Sequence, residues 1–435
     1  MSVAGIVQWV RDSLGDAARA VRDAFREEAW SGDRRTVNMP GEARTDRIDY
    51  WLLLATVALL AIGLIMVFSS SSVRAALSHR NPYGSVMQQG LRALVGFVML
   101  IGLARVNYRR WWSAAPVIAL FTLVLLALLF VPGLGETHKG AQRWLRLGPI
   151  GIQPTEFARV GAIVLVARLL SRRPEVMARF QTGPLPALVV AAAFVMLILP
   201  QPSLGCTVAL LLTVGSMCFV AGLRWKHLGG LVVAGLVAVP LLLGAVALKH
   251  AATGGSAPAH NYQAGRISSF VAMWQGKDDP LGPTYQLRQS ILAIGSGGLT
   301  GKGIGGSEQK WLFLPDAHTD FIFSIMGEEM GFLGACFLLL LFGIFIWRGL
   351  SIAAEADDRF GFMLAAGLTV NFGVYILINL AVTMGLMPTT GLPLPFVSYG
   401  GSALLANLAA VGLLLSVSRH RKSGIVLTNR SGRLR

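Results

Sequence analysis

Hydrophobic side chains are gathered along the chain into ten runs, which are separated by polar connections. The runs lie at 50–70, 87–105, 113–132, 155–171, 184–200, 204–222, 228–248, 320–347, 361–384 and 402–418. Most of them approach the ~20 residues that a helix needs to cross ~30 Å of hydrocarbon. The pattern predicts an all-α, polytopic membrane protein with ten transmembrane helices in residues 50–420 and one long loop at 249–319.

The two ends of the chain are predicted to lie outside this membrane domain. Apolar residues between positions 3 and 30 recur at steps of three and four, which is typical of an amphipathic helix. A partly ordered tail with helical propensity explains the same pattern equally well. Residues 1–49 are therefore interpreted as a tail and linker, without the uninterrupted apolar stretch of a signal peptide, and residues 421–435 as a basic tail.

Composition excludes a single soluble core, because 54% of the 435 residues are hydrophobic and only 14% are charged. The net charge of +16 on a soluble protein would suggest nucleic-acid binding. Seventeen Lys and Arg residues, however, lie in alternate connections and the C-terminal tail, against five in the short connections of the opposite side. This bias is the positive-inside signal, so we expect both termini in the cytoplasm and no nucleic-acid partner. The three cysteines lie in apolar runs and define no disulfide framework.

Acidic residues are scarce on the predicted exterior side, which narrows the search for a catalytic base. Nine of the 22 Asp and Glu residues lie in the N-terminal tail, and four more are predicted to be cytoplasmic. Of the remaining nine, four lie within or at the end of an apolar run, where an ionisable group marks a functional site by default. These four are Glu156, Asp320, Glu328 and Glu329.

Asp320 is the preferred base because it begins the eighth run, where a helix N-terminus favours an anion. The structural alternative is that Asp320 is a helix N-cap. On a continuous helix Glu328 and Glu329 lie about 80° and about 180° around from Asp320, so the three do not share one face. We expect one of these glutamates to be structural and to pair with an intramembrane cation such as Arg159.

Three cations lie in an exterior connection where the positive-inside rule disfavours them, namely Lys139, Arg143 and Arg146. Lys and Arg suit a pyrophosphate group, and binding of anionic lipid headgroups is the alternative. The glycine-rich stretch 301–306 follows no strand of a βαβ unit, so it is interpreted as a turning loop and no nucleotide cofactor is expected. His318 and Asp320 lie two residues apart, but no exterior Cys or further His completes a zinc site with them. The cofactor that the sequence still allows is Mg²⁺ or another divalent cation.

Four motifs resemble those of the SEDS (shape, elongation, division and sporulation) family, and the resemblance covers about residues 49–421. They are Lys139–Trp144 (KGAQRW), Gln153–Phe157 (QPTEF), Leu314–Phe321 (LPDAHTDF) and Pro393–Ser402 (PLPFVSYGGS). Gly327–Glu329 and the cytoplasmic tail are more similar to the division branch, FtsW, than to the elongation branch, RodA. Where the family usually has Gln-Pro-Asp this chain has Gln201-Pro202-Ser203, so no role of that aspartate is carried over to Ser203.

The resemblance implies a peptidoglycan glycosyltransferase that polymerises lipid II outside the cytoplasmic (inner) membrane during septal synthesis. The implied partners are a class B penicillin-binding protein, which cross-links the product, and other divisome membrane proteins. Asp320 matches the essential aspartate of the family. The predicted substrate-binding and pyrophosphate-binding residues are Lys139, Arg143, Arg146, Glu156, His318 and Ser398.

Three other functions stay open at this stage. A lipid II flippase would also use a bundle of helices with intramembrane carboxylates, although the polar motifs cluster on one side and the helices show no internal repeat. A polymerase of the elongation branch would share the chemistry, and a non-catalytic divisome scaffold would not need Asp320. For the long loop the sequence leaves two alternatives, disorder or a re-entrant segment near residues 291–299.

Overall fold

The computed structural model describes residues 48–77, 79, 81–138, 141–147, 150–172, 180–181, 183–201, 203–223, 265–266, 269–275, 283–311 and 313–420. The predicted seventh run at 228–248 lies outside these residues. So do most of the N-terminal tail and the whole of the basic C-terminal tail.

The described part of the chain is dominated by helices, which confirms the all-α class. They are α1 (Tyr50–Leu77), α2 (Gly84–Arg105), α3 (Arg109–Leu128), α4 (Pro154–Leu170), α5 (Pro184–Ile198), α6 (Leu204–Val220), α7 (Pro283–Ser296), α8 (Ile322–Ala354), α9 (Arg359–Thr383) and α10 (Gly401–Ser418). Nine of the ten predicted runs coincide with these helices, and α7 is an additional helix inside the long loop. By length and composition, six of the described helices can cross a membrane, namely α1, α2, α3, α8, α9 and α10, while α5 and α6 are shorter apolar helices.

Helix α4 lies at the centre of the bundle, as the burial of nearly all of its side chains shows. It begins with Pro154, whose fixed φ and missing N–H suit the first turn of a helix. It packs against α3, α5, α6, α9 and α10. The central position of α4 explains why it has no polar stripe: neighbours surround it on every side.

Between α3 and α4 the chain forms a three-stranded antiparallel sheet that the sequence analysis did not predict. Its strands are β1 (Gly135–His138), β2 (Ala141–Leu147) and β3 (Ile150–Ile152), in the order β1-β2-β3. The pairing of Glu136 with Trp144 is followed by that of Thr137 with Gln142, which leaves Arg143 as the extra residue of a β-bulge. Bulges of this kind redirect one side chain away from the regular alternation of a strand.

The connections at the two ends of the bundle cluster as the sequence topology predicts. At one end, Asp49 before α1 pairs with Arg348 of α8 and bonds through its N–H to Ser418 of α10. At the same end Arg109 pairs with Asp358 ahead of α9. The opposite end, called the Asp320 end below, holds the sheet, the segments around residues 201 and 266, and the Pro-rich connection 385–400.

Candidate active site

Asp320 lies in an irregular segment just before α8, rather than on the helix. The helix begins at Ile322, and Phe321 is its N-cap without a side-chain capping bond, so the N-cap alternative for Asp320 is wrong. The carbonyl oxygen of Asp320 accepts a hydrogen bond of 2.9 Å from Asn379 Nδ2 of α9. The same Nδ2 atom donates to the carbonyl oxygen of Leu392 at 2.8 Å. One buried amide therefore ties the Asp320 segment to the Pro-rich connection.

Three charged groups converge on one point beside Gly391, a residue of that connection. A β-carbon built on Gly391 would lie 3.7 Å from Asp320 Oδ2, 3.8 Å from Arg143 Nη1 and 3.6 Å from Arg266 Nη1. Gly391 has a φ of +75°, which side-chain-bearing residues rarely adopt. The carboxylate and the two guanidinium groups thus surround a position where the backbone itself keeps a side chain out.

Backbone carbonyl groups orient both arginines. Arg143 Nε donates to the carbonyl oxygen of Gln201 at 2.9 Å, and Arg266 Nη1 donates to that of Thr389 at 2.9 Å. A guanidinium carries five N–H donors in a rigid plane, so one bond to the backbone fixes its direction. Gln201 therefore contributes to this site through its main chain. Two residues later, Ser203 occupies the position at which the family that the motifs resemble usually has an aspartate. The Ser203 hydroxyl bonds to the carbonyl oxygen of Ile198 at 3.2 Å.

The Pro-rich connection is fastened to the residues just before Asp320. Ser398 Oγ donates to the carbonyl oxygen of Thr319 at 2.6 Å and accepts from Leu394 N–H at 2.8 Å. Tyr399 N–H donates to the carbonyl oxygen of His318 at 2.9 Å, and the two rings lie 5.7 Å apart. The structure thus brings the predicted residue Ser398 to the Asp320 segment, where its hydroxyl group supports the backbone, while His318 belongs to that segment and lies against Tyr399.

The backbone is strained on both sides of this junction. Asp316, four residues before Asp320, and Phe396, in the Pro-rich connection, adopt φ values of +55° and +66°. Such conformations persist only where the surrounding structure enforces them, and they cluster at functional sites. The two strained residues belong to two of the four motifs identified in the sequence.

Glu156 lies inside the bundle, where it forms an ion pair with Arg159 one turn further along α4, at 3.1 Å. The Arg159 guanidinium also donates to Asn371 and Asn407, and it stacks over the ring of Tyr375. The expectation that Arg159 pairs with Glu328 or Glu329 is therefore wrong. Both glutamates are instead paired with lysines, Lys302 in the glycine-rich stretch and Lys310 just after it, because this part of the long loop folds back into the bundle.

Comparison with known proteins assigns the family. Residues 50–423 match the FtsW/RodA/SpoVE family of cell cycle proteins. The chain belongs to the SEDS family. It is 38% identical over 375 residues to a probable peptidoglycan glycosyltransferase FtsW of Geobacter sp. (strain M18), which covers 86% of this chain and 98% of that protein. Stage V sporulation protein E of Bacillus subtilis (strain 168) is also 38% identical, over 374 residues, with 86% and 98% coverage.

Solved structures have the same fold. A chain from a peptidoglycan synthase complex that coordinates polymerization and crosslinking superposes with a TM-score of 0.65 at 29% identity, covering 86% of this chain and 98% of that one. The rod shape determining protein RodA of Thermus thermophilus gives a TM-score of 0.62 at 30% identity, with coverage of 87% and 98%. The family resemblance drawn from the four motifs is confirmed.

Sequence reasoning on this SEDS chain missed two residues of the site. Arg266 lies in the long loop, to which the charge-counting rule does not apply, and no motif marks it. Asn379 carried a usable signal, because an amide inside an apolar run of α9 is a functional candidate. Of the other predicted cations, Lys139 lies outside the described residues and Arg146 is exposed on β2. The roles predicted for both stay predictions.

Within the ranges that the structure describes, no three His, Cys, Asp or Glu side chains come together as metal ligands. The Asp320 carboxylate instead shares its surroundings with two guanidinium groups, which repel a cation. The described residues of this SEDS site do not form a protein cage for Mg²⁺, so we assign no step to a cation. A divalent ion brought by the substrate phosphates stays a prediction.

Proposed function

We propose that this chain is a peptidoglycan glycosyltransferase that polymerises lipid II at the outer face of the cytoplasmic membrane. The observation that carries the proposal is the convergence of the Asp320 carboxylate with the guanidinium groups of Arg143 and Arg266 around Gly391. Transfer of a sugar from a pyrophosphate leaving group needs a base at the attacking hydroxyl and positive charge at the departing oxygen. Both kinds of group are present at this one place.

In the proposed reaction, Asp320 takes the proton from the 4-hydroxyl group of the acceptor GlcNAc. The freed oxygen attacks the anomeric carbon of the donor sugar and forms the new glycosidic bond, while the bond from that carbon to the pyrophosphate oxygen breaks. Undecaprenyl pyrophosphate leaves with the electron pair of that bond. Arg143 and Arg266 stabilise the charge that develops on the pyrophosphate, because their fixed guanidinium groups need no reorganisation. No nucleotide is consumed, since the lipid carries the activated bond.

The other intramembrane carboxylates are poor alternatives for the base. Glu156, Glu328 and Glu329 each neutralise a neighbouring cation, at 3.1, 2.9 and 3.0 Å respectively. Proton abstraction by any of them would leave that cation without its counter-charge inside the bundle. This pairing also weakens the flippase alternative, which drew its support from intramembrane carboxylates along a transport path.

The distribution of Lys and Arg residues supports the side of the membrane at which the reaction takes place, and the similar proteins support its cellular role. Seventeen cytoplasmic Lys and Arg residues against five in the short exterior connections support cytoplasmic termini and an exterior Asp320 end. The match to a family of cell cycle proteins and the FtsW relative support a role in division, and the synthase complex, in which polymerization is coordinated with crosslinking, supports a class B penicillin-binding protein as the partner. Other divisome membrane proteins would then recruit the pair to the septum.

The decisive experiment replaces Asp320 with Asn and assays the purified chain, with its transpeptidase partner, on detergent-solubilised lipid II. Glycan polymers should form with the unsubstituted chain and disappear with Asp320→Asn. Asp316→Asn is the matched control, since it removes a carboxylate from the same motif and Asn tolerates the positive φ. Its activity should be retained. Polymers from Asp320→Asn would overturn the base assignment, and their absence from the unsubstituted chain would favour a flippase or a scaffold.

The septal role needs its own test, because the chemistry is shared with the elongation branch. The chain should restore septum formation in cells depleted of their division polymerase and should fail to restore rod shape in cells depleted of the elongation polymerase. Asp320→Asn should fail in both, whereas a scaffold would support division without Asp320. Rescue of rod shape alone would assign the chain to the elongation branch.

A further inference from the structure

Helix α8 is broken near its start, and a loop from outside the helix forms hydrogen bonds with the backbone on both sides of the break. Gly331 has φ 65° and ψ −166°, a conformation outside the helical region that favours glycine. The glycine-rich segment 297–311, called the glycine loop, lies against this break. A β-carbon built on Gly301 would clash with the carbonyl oxygen of Glu329, so the two backbones are in direct contact.

The glycine loop replaces the backbone hydrogen bonds that the break removes from α8. The carbonyl oxygens of Glu328 and Glu329 accept from Lys302 N–H and Gly303 N–H at 3.0 and 2.9 Å. On the other side of the break, Phe332 N–H and Leu333 N–H donate to the carbonyl oxygens of Gly298 and Leu299 at 2.9 and 3.1 Å. Irregular backbone at membrane depth is tolerated only with such protein partners.

Two ion pairs reinforce this contact through side chains. Glu328 is fully buried, and its carboxylate accepts from Lys302 Nζ at 2.9 Å, Ser307 Oγ at 2.5 Å and Glu308 N–H at 3.1 Å. Further bonds reach it from Ser296 Oγ and from the N–H group of Gln309. A buried carboxylate with this many donors is satisfied as an anion, and four of its five donors belong to the glycine loop.

The second pair links the loop to α1 as well as to α8. Glu329 contacts Lys310 Nζ at 3.0 Å and accepts from Ser69 Oγ at 2.6 Å. Lys310, itself only 5% exposed, also donates to Ser69 Oγ and to the carbonyl oxygen of Gly305. Both members of the pair are buried, so removal of either one leaves a charge uncompensated inside the bundle.

The two ion pairs bear on the candidate site because the paired residues flank Asp320 in the sequence. Asp320 lies ten residues after Lys310 and nine residues before Glu329, so the Lys310–Glu329 pair closes a chain segment with Asp320 at its centre. The Lys302–Glu328 pair closes a wider segment around the same residue. We infer that the two Lys–Glu pairs position Asp320 for the reaction, by fixing both ends of the segment that carries it. This inference rests on the base role of Asp320 in the proposed function.

The test compares Lys310→Met and Glu329→Gln with the conservative Lys310→Arg, each purified with the transpeptidase partner. Polymerisation of lipid II should show kcat reduced about tenfold to a hundredfold in the first two variants, because a small displacement of a reacting group has that effect. KM should change less than about twofold. Lys310→Arg keeps the charge and should recover most of kcat. Hydrogen–deuterium exchange over residues 297–311 should rise in the two impaired variants only.

The matched control is Arg348→Met, which breaks the Asp49 pair at the other end of the bundle. It should lower the melting temperature without changing kcat or exchange in the glycine loop. If the single variants fail to fold, Lys310→Met combined with Glu329→Met removes both charges together and is expected to fold. That double variant should keep the low kcat, because the bonds from Lys310 to Gly305 and Ser69 are still missing.

The outcomes separate this inference from the proposed function. A wild-type kcat in Lys310→Met, or in the double variant, with faster exchange in the loop would overturn positioning and leave the pairs structural. Loss of kcat in Arg348→Met equal to that in Lys310→Met would also overturn it. Polymerisation by Asp320→Asn would overturn the base role, while the exchange measurement would still report whether the pairs hold the loop.

Discussion

Asn379 of α9 holds Asp320 in place by its main chain, through a 2.9 Å hydrogen bond from Nδ2 to the Asp320 carbonyl oxygen. A second bond from the same atom holds Leu392, one residue after Gly391. The carboxylate and the arginine-lined point beside Gly391 are therefore held in register by a single amide. Asn379 is almost fully buried, so no water replaces it when it is removed.

Asn379→Leu should impair both stability and polymerisation. The buried carbonyl group of Leu392 and the partly buried one of Asp320 lose their donor, which costs about 1–3 kcal/mol of unfolding free energy, and the Asp320 segment is released from the Pro-rich connection. Asn371→Leu, on the same helix, is the control, because Asn371 bonds to Arg159 and Thr213. Melting temperature should fall in both variants, whereas polymerisation per folded molecule should fall only in Asn379→Leu. Equal activity in the two would argue against the positioning role of Asn379.

Gly391→Ala should act as a steric probe of the site. The added methyl group would lie 3.6–3.8 Å from the three charged groups, where the substrate phosphate and hydroxyl are proposed to bind. Gly133→Ala is the control, since Gly133 also has a positive φ, +87°, but its β-carbon would meet nothing within 4 Å. Both variants carry a backbone cost of about 1–2 kcal/mol. Only Gly391→Ala should abolish polymer formation on a gel.

Arg266→Met should lower kcat about a hundredfold, the scale seen when one donor to a developing charge is removed. Arg266→Lys keeps a point charge without the planar donor set and should recover part of that loss. The exposed Arg288 of α7 provides the control, because Arg288→Met removes a charge from the same long loop. The measurement is the polymerisation rate of each variant at saturating lipid II. If Arg266→Met polymerises as fast as Arg288→Met, the pyrophosphate role of Arg266 is wrong.

Tyr108, between α2 and α3, should confer an alkaline pH dependence on stability. Burial, together with the Asp358 carboxylate to which its hydroxyl donates at 2.7 Å, raises the pKa of Tyr108 well above its ordinary value of 10.0. The raised pKa means that its stabilisation is complete below about pH 10 and is lost as the pH rises through the folded-state value.

Tyr108→Phe should therefore cost about 1–2 kcal/mol at neutral pH, and the difference from the unsubstituted chain should shrink above pH 10. Melting temperatures of the purified proteins between pH 7 and 11 measure it. Tyr83→Phe, at a largely exposed position, is the control and should lie close to the unsubstituted chain throughout. A Tyr108→Phe difference that stays constant up to pH 11 would contradict the assignment.

The sequence alone determined the membrane class and nine of the described helices, and it singled out Asp320 as the candidate base among the carboxylates. These followed from local properties, namely the length of apolar runs and the scarcity of acids beside them. It also determined which connections share an end of the bundle, since the chain alternates between the two sides at each crossing.

Only the tertiary structure decided the partners of the charges. Arg143 joins the site through a β-bulge, and Arg266 reaches it from a loop more than fifty residues before Asp320. Glu328 and Glu329 pair with Lys302 and Lys310 because a break at Gly331 lets a loop enter the bundle. Side-chain periodicity assumes a continuous helix or strand. Where the backbone departs from one, long-range contacts choose the neighbours, and no local pattern records them.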